Sequence, residues 1–173
     1  MNENKSHTVS YQLVSVSLEH LRDLERSVIP ATLNYHLATD ALPPAFVAAR
    51  ALSQIDAGAP AYWCSTFYIV SIEDRLIVGS CGFKSPPQNG RVEIGYGISP
   101  ECRRQGAASA AVRSLLQLAF AGGATNVLAT VSPNNLASTR VVQKLGFENN
   151  GNAVNDQQEL LTHWLAIKLS ETI

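Results

Sequence analysis

Apolar residues along this chain change period several times, and each change marks an element. Leu13 to Val16 alternates as a strand does. From Leu18 onward, Leu21, Leu24 and Val28 recur at helical spacing, and Pro30 lies just beyond. Thr32 to Asp40 fits neither period. Pro43 and Pro44 stand where a helix starts, its body running from Ala45 to about Ile55, and Gly58 and Pro60 close it. Tyr62 to Ile72 and Leu76 to Phe83 are rich in aromatic and β-branched residues around a Glu73-Asp74-Arg75 turn, which predicts two antiparallel strands. Ser85 to Gly90 carries two prolines, Asn and Gly and reads as a loop. Val92 to Ile98 predicts the third strand of a meander.

Beyond Gly106, Val112, Leu115, Leu116 and Ala119 fall on one side of a helix that Gly122 and Gly123 stop. Val127 to Val131 is a short apolar strand between two helices, so a crossover makes it parallel to its neighbour. Ser132 to Asn135 is a turn, Leu136 to Leu145 a helix ended by Gly146, and residues 149–156 are polar and loop-like. Glu159 to Leu169 alternates imperfectly and is left as a strand or a helix. The sum is an α/β fold with a mixed sheet and helices on both faces. Residues 1–10 read as a polar tail and 11–173 as one domain, without repeats or low-complexity tracts.

Composition narrows the function classes. The net charge of −1 and the lack of a Lys/Arg-rich run argue against nucleic acid as a partner. The three cysteines are widely spaced, with neither a disulfide nor a zinc pattern, so no metal is expected. No apolar stretch reaches the ~20 residues that span a bilayer, and the first ten residues lack the apolar core of a signal peptide. The expectation is a cytoplasmic protein with free thiols, either monomer or homodimer, and no membrane contact.

The most informative stretch is Ile98-Ser-Pro-Glu-Cys-Arg-Arg-Gln-Gly-Ala-Ala. A strand ends, a basic loop turns, and bare residues open a helix. A helix start offers unpaired N–H donors and about half a positive charge. Gly106, Ala107 and Ala108 let an anion approach the main chain, and Arg103 and Arg104 add charge beside it. This pattern points to a phosphate-bearing ligand. A nucleotide is disfavoured, because no Gly-x-x-x-x-Gly-Lys-Ser/Thr loop exists and Gly95-x-Gly97 lacks a third glycine.

Arg103-x-x-Gly106-x-Ala108 resembles the acyl-coenzyme A pyrophosphate loop of the GNAT superfamily of N-acetyltransferases. A second segment, Asn135-x-x-Ser138-x-x-Val141-x-x-Lys144-Leu145-Gly146-Phe147, resembles the stretch after that superfamily's fifth core strand. Its Asn-x-x-Ser form, with Glu93-Ile94-Gly95-Tyr96 upstream, is similar to the Rim-type branch, which acetylates N-terminal amines of ribosomal proteins. The resemblance covers residues 62–169 well and the first sixty only in outline.

The resemblance implies a GNAT-like fold whose mostly antiparallel sheet is splayed between its fourth and fifth core strands, with a bulge in the fourth. It implies acetyl-coenzyme A as co-substrate and an amine acceptor, either a small molecule or a protein N-terminus, attacked directly. The pyrophosphate would rest on the amides from Arg104 through Gln105 and Gly106 to Ala107 and Ala108. Gly97 and Ile98 would pair with the pantetheine arm, the Ile98 N–H facing the thioester oxygen. Asn135 would hold the same arm, besides being a natural helix cap. Glu93 is the candidate base, since an amine of pKa ~8–10 is mostly protonated at neutral pH; the alternatives are an ion pair with Arg91 or Lys84, or a water-facing carboxylate. Alternation places Arg91, Glu93, Gly95 and Gly97 on one face and Val92, Ile94, Tyr96 and Ile98 on the other. The superfamily often draws a tyrosine acid from the helix after the fifth strand, but Val141, Val142 and Gln143 stand there. Ser138 is the remaining candidate to protonate the thiolate. A non-catalytic sensor of acyl-coenzyme A is the competing function.

Overall fold

The computed structural model describes residues 9–169. Its strands are β1 (Tyr11–Ser15), β2 (His36–Leu37), β3 (Thr66–Ser71), β4 (Leu76–Phe83), β5 (Arg91–Ile98), β6 (Asn126–Val131), β7 (Glu148–Val154) and β8 (Leu160–Ile167). The helices are α1 (Leu18–Glu25), α2 (Ala45–Asp56), α3 (Ala107–Ala121) and α4 (Leu136–Lys144). No helix among the described residues is long and apolar enough to cross a membrane. One eight-stranded sheet runs β1-β3-β4-β5-β6-β8-β7, with β2 beside β4. Only β5–β6 and β2–β4 are parallel, so the sheet is mixed and mostly antiparallel.

The two sheet faces follow from alternation. Phe83 pairs with Ile94, and Trp63 stacks edge-on against Phe83 while lying close to Gly122 at the end of α3. Val92, Ile94 and Phe83 thus meet α3, whose Val112, Leu115 and Ala119 are fully buried. The opposite face carries Lys84 and Glu93 and is covered by α2, whose Gln54 donates Nε2–H to the Lys84 carbonyl at 2.8 Å.

Three sequence expectations are corrected here, and two open ones are settled. Of residues 149–156, only Asn155 and Asp156 are loop: Glu148–Val154 forms β7, exposed throughout and paired with β8, so no burial pattern betrays it. The stretch from Tyr62 opens as a single 3-10 turn (Ala61–Cys64), and the strand starts at Thr66. The first helix stops at Glu25, and Val28 lies outside it, half exposed. The ambiguous residues 32–40 contain β2. Glu159–Leu169 resolves as strand β8, pairing β6 on one side and β7 on the other. Of the expected tail, residues 1–8 lie outside the described residues, while Ser10 is held by the Glu73 carboxylate at 3.1 Å.

The sheet is splayed where the resemblance implies. β5 pairs with β6 only from Arg91/Asn126 to Ile94/Ala129. Past Ile94, β5 stays on β4 up to Gly79/Ile98, while β6 stays on β8. The implied bulge is not in β5, whose register with β4 is continuous; register shifts lie between β3 and β4, at Ile69/Val70, and between β7 and β8, at Asn149/Asn152.

Candidate active site

The splay is a chemical feature as well as a geometric one. Along a strand, N–H and C=O groups of successive residues point to alternate sides. The Ser99 N–H donates to the Val78 carbonyl at 2.8 Å and the Lys84 N–H to the Glu93 carbonyl at 2.8 Å, so residues 93, 95, 97 and 99 point at β4. Tyr96 and Ile98 therefore turn their main-chain groups toward β6, which has already diverged. The Ile98 carbonyl accepts from Arg103 Nε at 3.3 Å, and its N–H faces the gap. A cleft of about 580 Å³ passes through this gap and is lined by Gly97, Ile98, Arg103, Ser132, Asn135 and Ser138, with Arg50, Lys84 and Thr130 toward the α2 side.

Glycines make room here. A Cβ on Gly97 would meet nothing within 4 Å, so the main chain lies bare against the cleft. A Cβ on Gly79, across the strand pair, would sit 2.2 Å from the Gly97 carbonyl oxygen. The two strands approach so closely there that only glycine fits.

At the far end of β5, the chain turns through Arg104 (φ 63°) to Gly106 (φ 87°), both left-handed, before α3 begins. Gly106 is the N-cap residue, supplies no side-chain hydrogen bond, and no acidic residue stands in the first turn. The first-turn amides are thus open to an external anion, with the exposed Arg103, Arg104 and Gln105 beside them. Ala107 is buried and sets the helix against the sheet. Burial pushes the Cys102 thiol up, so it is a protonated core group and no nucleophile.

Glu93 sits on the α2 face. Its Oε1 accepts from Lys84 Nζ at 2.5 Å and from Thr130 Oγ1 at 2.8 Å. No bond to its Oε2 is formed among the described residues. Glu93 opens on a smaller cavity of about 400 Å³ with Ser85, Gln88 and Arg91, while Lys84 and Thr130 stand between it and the main cleft. On the other wall, Asn135 caps α4 by accepting the Ser138 N–H at 3.0 Å, which leaves its amide donors for a ligand. Tyr96 crosses the splay, its hydroxyl 3.5 Å from the Ser138 carbonyl oxygen. Burial pushes the Tyr96 pKa up, and hydrogen bonding with Ser138 partly offsets this, so the phenol stays protonated at neutral pH.

A model of the acetyltransferase (GNAT) domain matches residues 18–148, well over half of the chain. The chain belongs to the GNAT acetyltransferase family. A Bacillus licheniformis relative named as the uncharacterized N-acetyltransferase p20 is 36% identical over 87 residues, 49% of each protein. The chain thus spans about half the length of such curated relatives. A ribosomal-protein-S5-alanine acetyltransferase from Vibrio fischeri shares the fold at TM-score 0.65 and 13% identity, over 94% of this chain and 96% of that one. Mycobacterium smegmatis RimJ, solved with coenzyme A-disulfide, superposes at TM-score 0.64 and 17% identity, over 91% of this chain and 81% of that one. The family match begins at residue 18 and so takes in α1 and α2, which the sequence motifs had left matched only in outline.

Within this GNAT domain, the fold brings Gly97, Ile98, Arg103, Asn135 and Ser138 to one cleft, while Arg104, Gln105, Gly106, Ala107 and Ala108, at the start of α3, do not line it. It sets Glu93 one side chain back, in the Lys84 ion pair that was one of the alternative readings. Sequence reasoning missed Tyr96, Arg50 and Thr130. Tyr96 was placed on the correct strand face, but only the splay lets it reach α4. Thr130 occurs two residues past Leu128, the partner of Glu93, and knowledge of that register would have found it. Arg50 carries no signal beyond lying one turn after Phe46 on α2.

Proposed function

We propose that this protein is an acetyl-coenzyme A-dependent N-acetyltransferase in which the acceptor amine attacks the thioester directly. The observation that carries the reading is the bare end of β5: a strand freed from its neighbour, with the Ile98 N–H turned into the gap, leading straight to an uncapped helix start. Acetyl-coenzyme A, the family's acyl donor, would supply an activated acetyl group there. The first-turn amides of α3, with Arg103 and Arg104, would hold its diphosphate. The Asn135 amide and the Gly97–Ile98 main chain would hold its arm.

The remaining roles belong to groups of this chain. The Ile98 N–H stabilises an oxygen that gains charge as the amine adds, typically the largest single term in acyl transfer. Glu93 takes the ammonium proton through a water on Oε2, its geometry fixed by Lys84 and Thr130. Ser138 returns a proton to the departing thiolate, with Tyr96 beside it as a protonated phenol. A thiol of pKa ~8.5 leaves with little help, so this last contribution is modest. Small-molecule amines and protein N-termini are both acceptors consistent with the cleft.

Release of free thiol from acetyl-coenzyme A with a panel of amines tests the reading, paired with calorimetry of coenzyme A binding. Glu93→Gln keeps coenzyme affinity within about twofold and lowers turnover by about 10²–10³-fold, within the range for general base catalysis. Coenzyme binding without amine-dependent thiol release makes the protein a sensor instead. Absence of coenzyme binding by folded protein removes the proposal entirely.

A further inference from the structure

Resting on that reading, the cleft carries information about the acceptor. The α2 wall presents a cation that no carboxylate touches among the described residues. Arg50 is half-buried on the cleft and forms no ion pair or hydrogen bond among the described residues. Its neighbours are committed elsewhere: Lys84 pairs with Glu93 at 2.5 Å and reaches Thr130 at 3.4 Å. Burial lowers the Arg50 pKa and the field of Glu93 raises it, so the guanidinium feels that carboxylate without touching it. Arginine stays charged under any such shift. A charge kept partly out of water without a partner is costly, and a bound anion removes that cost.

The position of Arg50 is fixed. Ala48, Ala51 and Leu52 bury the inner side of α2, and Gln54 ties the helix to the end of β4 at 2.8 Å. One turn before Arg50, Phe46 lines the same cleft and is 69% exposed, an apolar surface at its lip. The opposing charge is Asp40, which also lines the cleft but is exposed and more than 4 Å from any cation it could pair with among the described residues.

We infer that the acceptor is an amine that also bears a carboxylate, held by bidentate contact with Arg50, its apolar part against Phe46. A polyamine brings Arg50 only like charge, Lys84 being already paired with Glu93, and is the wrong acceptor. Arginine's planar fork matches a carboxylate, and charge-assisted bidentate pairs are the strong ones.

The test is thiol release from acetyl-coenzyme A with free amino acids against their amides, short peptides with Asp or Glu near the N-terminus against Asn or Gln counterparts, and spermidine. In the wild type, kcat/KM of a carboxylate-bearing member exceeds its neutral partner by 10-fold or more, and whichever arm shows this assigns the source as amino acid or peptide. Arg50→Gln brings that ratio to about one, Arg50→Lys restores part of it, and both variants bind coenzyme A as the wild type does by calorimetry. Equal use of charged and neutral partners, preference for spermidine, an unchanged ratio in Arg50→Gln, or turnover of no carboxylate-bearing amine overturns the inference. In each of those cases intact coenzyme binding with turnover of some other amine leaves the acetyltransferase reading standing, whereas lost coenzyme binding brings down both.

Discussion

Gly79 and Gly97 lie diagonally across the β4–β5 pair, Gly79 opposite Ile98 and Gly97 opposite Ser80, and a single methyl group at each has opposite effects on stability. At Gly79 the added Cβ would lie 2.2 Å from the Gly97 oxygen, 3.0 Å from the Ile98 Cα and 3.1 Å from the Gly97 carbon, all main chain. No flexible side chain can yield, so β5 itself must move by about 1 Å, the scale on which overpacked cores lose about 1–3 kcal/mol. For a chain of 173 residues that lowers Tm by roughly 2–12 °C. The same movement shifts the Ile98 N–H, and loss of one such donor costs about 10²–10³ in turnover. At Gly97 the methyl meets nothing within 4 Å, so Tm stays within about 2 °C. It enters the cleft beside the thioester position and lowers turnover tenfold or more. Thermal unfolding followed by circular dichroism gives the first quantity, and thiol release with acetyl-coenzyme A gives the second. A Gly97→Ala protein with wild-type turnover would mean that the acyl group does not pass this strand. A Gly79→Ala protein as stable as the parent would mean that the strands are not as close as described.

Other outcomes follow from the same geometry. Ser138→Ala and Tyr96→Phe each lower turnover by threefold to tenfold, and together by no more than about 10²-fold, because a thiolate is a competent leaving group; a loss above 10³ in Ser138→Ala, measured by single-turnover thiol release, contradicts this. Tyr68 is fully buried, its hydroxyl 3.0 Å from His20 Nδ1, and burial pushes its pKa from 10.0 to about 12. The unfolded chain therefore loses this proton first: the stability is intact below pH 10, falls as pH rises toward 12 and levels off beyond it. Tm measured from pH 8 to 12 should show that decline, and Tyr68→Phe should make it shallower while lowering Tm at pH 8 through the lost hydrogen bond.

How much of this was legible in the sequence depends on whether local chemistry or long-range register set each feature. The start of α3 was readable because Gly106 supplies a left-handed N-cap, and Ala107 and Ala108 leave the amides bare, all within a few residues. The end of α4 was readable for the same reason. Gly146 (φ 81°) lets the Phe147 N–H reach back to the Val142 carbonyl at 3.0 Å while the Phe147 ring is buried, so Leu-Gly-Phe is itself a helix stop. β7 was not readable: all seven of its residues are exposed, and Asn and Gly within it read as turn. Only pairing with β8 makes it a strand. Glu93 was legible as a carboxylate on a central strand, but its partner depended on Lys84 lying at the end of β4, one residue beyond the last β4–β5 pair, Phe83/Ile94.

The contrast extends to function. The donor half of the proposed site is made of main chain, and main-chain sites leave small residues and helix starts as their trace in sequence. Gly97, Gly106 and Ala108 are readable because a side chain would obstruct. The proposed acceptor half is made of side chains converging from α2, the end of β4, β5 and β6, and such convergence leaves no local trace. Arg50, Lys84, Glu93 and Thr130 are far apart in sequence, and each alone is an ordinary surface residue. What sets them apart is an imbalance visible only after folding: Lys84 and Glu93 neutralise each other, while Arg50 shares the cleft and pairs with nothing among the described residues. On the proposed reading, the donor chemistry is written in the backbone-permissive residues, and the choice of amine in the charge left over.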